Sequence, residues 1–86
     1  MRYYVNYKQY NDSGKFWWDT WHRGLKTERG TCDWLKRNSF EPTDTPSVWH
    51  GTKGEYRDMF ATVHTWEELP ESVQKLMLDT NCGPNS

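Results

Sequence analysis

The sequence predicts an α+β domain: an antiparallel sheet of about four strands with two helices on one face, in the order ββαββα. Three observations carry this. Residues 2–10 alternate in strand-favouring types, two later stretches combine helical spacing with capping residues, and clusters of turn formers separate the segments.

The first strand, Arg2 to Tyr10, sets Tyr3, Val5 and Tyr7 on one side and Arg2, Asn6 and Lys8 on the other, the pattern of a half-buried strand. Asn11-Asp12-Ser13-Gly14 then reads as a hairpin turn. The second strand, Lys15 to His22, carries Phe16, Trp18, Thr20 and His22 against Trp17, Asp19 and Trp21. Both of its faces hold rings. A single helical layer hides one face, so the other turns outward.

Gly24 breaks the strand, and Thr27 to Arg37 follows as a helix with Thr27 as N-cap and Lys36-Arg37 at the dipole's negative end. Gly30 inside it costs about 1 kcal/mol relative to Ala. Asn38 is the expected left-handed stop. Ser39 to Ser47, with Pro42 and Pro46, reads as a loop. Val48-Trp49-His50 is a short strand and Gly51 to Gly54 a turn. Glu55 to His64 is a longer strand, with Met59, Ala61 and Val63 on one face and Tyr56 and Phe60 on the other.

Thr65-Trp66-Glu67-Glu68 matches the capping box that opens helices, and Pro70 fits only a first turn. A helix from Pro70 to Thr80 follows, its buried stripe made of Leu69, Val73, Leu76 and Met77. Residues 1–80 are thus one domain, and residues 81–86 a fraying tail. The predicted core is Phe16, Trp18, Leu35, Phe60, Val63, Val73 and Leu76.

Composition sharpens the picture. Six Trp, five Tyr and three Phe stand beside one Ala and no Ile in 86 residues. Each buried ring removes about 150–250 Å² from water, so a few rings anchor a domain poor in aliphatics. The net charge of −1 exerts no global pull on nucleic acid or acidic membrane. Residues 1–43 nevertheless carry +3 and residues 44–86 carry −4. Cys32 and Cys82 form no CxxC, and the sequence holds no secretory, membrane-spanning or lipidation signal. The expectation is a cytoplasmic chain with reduced thiols, a Cys32–Cys82 bridge being the lesser alternative.

No chemistry-bearing motif stands out. His22, Cys32, His50, His64 and Cys82 are metal-ligating types without metal-site spacing, so neither metal nor cofactor is expected. Glu67 and Glu68 are explained by the capping box, and a domain this small has little room for a catalytic pocket. The expected function is non-enzymatic binding of a macromolecule. The class this suits is a protein-binding accessory or inhibitor of phage or mobile-element type, which acts on a host protein or complex in the host cytoplasm for defence evasion or host takeover.

Tyr4, Tyr10, Trp17 and Trp21 are the candidate aromatic anchors, with Arg2, Lys8, Arg23 and Arg37 as a charged rim. Strand 2–10, taken as an exposed edge, would accept a partner's strand or a second copy. The alternative is a ring-bearing sheet face that stacks single-stranded nucleic acid.

Overall fold

The computed structural model describes residues 2–11, 17–42, 48–53 and 56–85; at 9–11, 17–19, 52, 53 and 56–59 it describes the backbone alone. Of the expected hairpin turn, Asn11 is described as a strand residue and 12–14 lie outside the described residues, as do Lys15, Phe16 and the side chains of Tyr10, Trp17 and Trp18.

The chain is α+β, with strands β1 (Tyr4–Asn11), β2 (Trp17–Arg23), β3 (Glu41–Pro42), β4 (Val48–Lys53) and β5 (Tyr56–His64). Helix α1 is Glu28–Arg37 and helix α2 is Glu71–Asp79. The five strands form one sheet in the order β2-β1-β5-β4-β3, and all its pairings are antiparallel. The order ββαββα is preserved, with β3 as a short addition inside the stretch expected to be a loop.

Two expectations change at β1. It lies between β2 and β5 and is no edge; the edges are β2 and β3. It is also buried on both sides: Tyr4 and Val5 are 0% exposed and Asn6 is 3% exposed. Successive strand residues point to opposite faces, so Tyr4 and Val5 each require a cover. The two helices supply it from opposite faces, where one shared face was expected.

On the Val5 face, α1 brings Cys32 and Leu35 against Val5, Phe40, Trp49, Ala61 and Val63, with Tyr3, Tyr7 and Trp34 around them. On the Tyr4 face, α2 brings Met77 against Tyr4 and Leu69, ringed by Trp21, Trp66, Val73 and Cys82. Cys32 and Cys82 are both free thiols and belong to these opposite cores, so the sheet separates them. Of the predicted core, Leu35 and Val63 are buried, Val73 and Phe60 are half-buried, and Leu76 is 56% exposed.

Local chemistry explains the helix boundaries. Thr27 is extended and its hydroxyl accepts from the Gly30 N–H at 2.9 Å. A Cβ on Gly30 would lie 2.8 Å from that same hydroxyl, so glycine here lets the cap close. Gly24 answers a tighter approach, because a Cβ there would sit 2.8 Å from the Tyr3 carbonyl oxygen. The capping box sets a 3-10 turn, Trp66–Glu68, where the Glu68 carboxylate accepts from the Thr65 N–H at 2.7 Å. Pro70 then caps α2.

Both helices end in the same way. Ser39 (φ 72°) follows α1 and Asn81 (φ 58°) follows α2, so the left-handed residue after α1 is Ser39, one position beyond the expected Asn38. The next N–H reaches back in each case, Phe40 to the Leu35 carbonyl at 3.1 Å and Cys82 to the Met77 carbonyl at 2.7 Å. These are Schellman motifs, and each drops its final residue into a core. Cys82, in the segment expected to fray, is held further by Tyr4, whose hydroxyl donates to its carbonyl at 2.5 Å.

Candidate functional site

The two edges of the sheet differ in kind. Among the described residues the β3 edge is Glu41–Pro42, and Pro42 has no N–H to offer a partner strand. The β2 edge runs seven residues, Trp17–Arg23, with no proline, and among the described residues β1 is its only neighbour in the sheet. An unblunted edge of this length exposes a row of backbone donors and acceptors.

Beside β2 runs a groove of about 430 Å³ lined by Trp21, His22, Arg23, Leu76, Met77, Thr80 and Cys82. Its wall on the helix side comes from the spacing of α2. Each residue advances about 100° around a helix, so with Met77 facing the core, Leu76 and Leu78 fall on either flank. Both are exposed, at 56% and 58%. Leu76 turns into the groove, and Leu78 lies on the far flank with Glu71, Ser72, Gln74 and Lys75. On the strand side Trp21 is half-buried and its ring lies 5.1 Å from that of His64. Arg23 is exposed at the groove's end.

Around this groove the titratable groups are tuned by packing. Burial lowers the pKa of His64, opposed by the nearby Glu68 carboxylate and assisted by Lys8. Its Nε2 lies 2.5 Å from the Thr62 hydroxyl. The Glu68 carboxyl is held below its ordinary value by the hydrogen bond from the Thr65 backbone. Burial raises the phenol of Tyr4 on this side and, in the α1 core on the opposite face, the phenol of Tyr7 and the thiol of Cys32. The Cys82 thiol donates to the Thr80 carbonyl at 3.4 Å.

The expected binding residues separate into four groups. Trp21 and Arg23 line the groove. Tyr4, expected as a surface anchor, is a core residue: α2 covers it, its ring packs 5.5 Å from that of Trp66, and its hydroxyl closes the C-terminal segment. Arg2 is likewise drawn inward, donating to the Gly24 carbonyl at 2.7 Å. Lys8 is exposed, while Arg37 is exposed in the last turn of α1, the helix on the opposite face from the groove. The backbones of Tyr10 and Trp17 are paired in register, and their side chains lie outside the described residues.

The sequence reading assigned Leu76 to the core and passed over Met77, Thr80, Cys82 and His22 as groove residues. The signal was the run Leu76-Met77-Leu78, since three consecutive apolar residues cannot share one helix face.

Among the described residues, no group of three or more His, Cys, Asp or Glu is placed to hold a metal ion, and no helix is long and apolar enough to cross a membrane. No protein-family model, curated protein or solved structure matches the chain, so the site is read from its own residues.

Proposed function

We propose that this chain is a non-enzymatic protein-binding module whose contact surface is the β2 edge together with the groove beside α2. The observation that supports it is the unequal chemistry of the two edges among the described residues: the β3 edge carries Pro42, whereas β2 runs seven residues without proline and lies beside an exposed leucine. A strand added to β2 gains main-chain hydrogen bonds from the edge and apolar contact from the groove. Half-buried Trp21 is a suitable anchor, and exposed Arg23 and His22 supply a polar rim. An accessory or inhibitor role of mobile-element type is one that such a surface would serve.

Single-stranded nucleic acid is the second reading. It draws on the tilted pair of half-buried rings His50 and Phe60, 4.9 Å apart, on the sheet face that also carries exposed Lys8. It has less behind it, because Tyr4 and Trp21 on that face are engaged by the α2 core.

Capture from a bacterial lysate by the immobilised chain tests the first reading. The double variant Thr20→Lys/Leu76→Asp changes two exposed positions and places a lysine on the edge. The captured chain, whether a second copy or another protein, should be lost. Equal recovery by the variant defeats this choice of surface.

A further inference from the structure

Resting on the reading that the β2 edge is the contact surface, we infer that the partner it fits is a second copy of this chain, paired antiparallel through β2 about a two-fold axis at Trp21. The charge pattern along the edge carries this inference. In antiparallel self-pairing, residues equidistant from the axis stand opposite one another. An axis at Trp21 sets Asp19 opposite Arg23 of the second copy, and by symmetry sets Arg23 opposite Asp19. The same register places Thr20 opposite His22 and Trp21 opposite itself.

Neighbouring registers lose this match. With the axis at Thr20, Asp19 meets Trp21 and Arg23 meets Trp17; with it at His22, Arg23 meets Trp21. Opposite charges directly across a strand pair stabilise it, and an unmatched register forgoes both pairs. The edge is thus self-complementary in one alignment.

The surroundings agree with that alignment. A two-fold axis perpendicular to the sheet keeps like faces together, so the two copies would form one continuous sheet with both α2 helices on the same side. The groove at Trp21 and Arg23 then opens onto the seam, and Leu76 of each copy borders it. The opposite edge, among the described residues, carries Pro42, which disfavours such pairing.

Sedimentation equilibrium of the full chain, from low to high micromolar concentration, tests the inference. Wild type should associate to a dimer. Arg23→Asp and Asp19→Arg should each weaken it roughly tenfold, because reversal turns two attractive cross-strand pairs into repulsive ones. The double variant Asp19→Arg/Arg23→Asp should restore association. Asp19 also stands opposite Lys8 within the chain, so Arg23→Asp carries the test alone if Asp19→Arg fails to fold. An Arg23→Asp dimer as tight as wild type overturns the register. A monomeric wild type overturns the second copy alone; one that also captures no other protein overturns the edge reading with it.

Discussion

The α1 side and the α2 side of the molecule are built from the same parts and finished differently. Each has a helix ending in a Schellman motif whose last residue enters a core, but that residue is Phe40 beside α1 and Cys82 beside α2. The α1 side buries Leu35 completely and lies towards the blunted β3 edge. The α2 side leaves Leu76 and Leu78 exposed, covers Asn6 without giving its amide nitrogen a hydrogen-bond partner, and stands beside the open β2 edge. On the α1 side the apolar residues of the helix itself, Cys32, Trp34 and Leu35, are buried or half-buried. The other side leaves Leu76 and Leu78 exposed, and the proposed contact surface lies beside them.

The largest expected effect breaks the α1 side. Leu35→Ala removes the centre of a closed core and should lower unfolding free energy by about 2–5 kcal/mol, read from urea denaturation. A loss under about 1 kcal/mol would make the two sides equivalent.

The helix ends offer a smaller, matched test. Ser39 and Asn81 both pay for left-handed backbone, and Asn tolerates that conformation better than Ser. Ser39→Gly should therefore stabilise the chain by about 0.5–1 kcal/mol and Asn81→Gly by less, in thermal melts. The reverse order would mean that the α2 end is the more strained.

The smallest effect is a pH dependence confined to the α2 side. His64 titrates lower in the folded chain than its ordinary 6.5, so the unfolded chain binds more protons in that window. Stability is complete above about pH 6.5 and declines as pH falls towards the depressed folded value. His64→Gln should flatten melting temperature between neutral and mildly acidic pH. Glu68, also lowered, contributes stability above its ordinary 4.5 that disappears only on further acidification, which separates the two groups.

Much of the fold was legible because local chemistry and tertiary structure agree. The strand character of β1, the Thr27 cap and the Thr65–Glu68 box are short-range signals, and each holds. The sides of the sheet were not legible, since Arg2-Tyr3-Tyr4-Val5-Asn6 satisfies a half-buried pattern as well as a strand covered twice. Only the helix crossings decide between them. For the same reason Tyr4 was read as an anchor and strand 2–10 as an edge. Part of the site was visible, because Trp21 and Arg23 stood out as aromatic and cationic. Leu76 was hidden by a helical stripe that also fits a core, and its exposure depends on how narrowly α2 meets the sheet.

Leu76→Asp tests the division of labour most directly, with thermal melting and affinity for the captured chain measured on the same protein. The account predicts a melting temperature close to wild type, as for a surface substitution within about 0.5 kcal/mol, and a large loss of affinity. A melting temperature lowered as far as that of Leu35→Ala, or binding as tight as wild type, would contradict it.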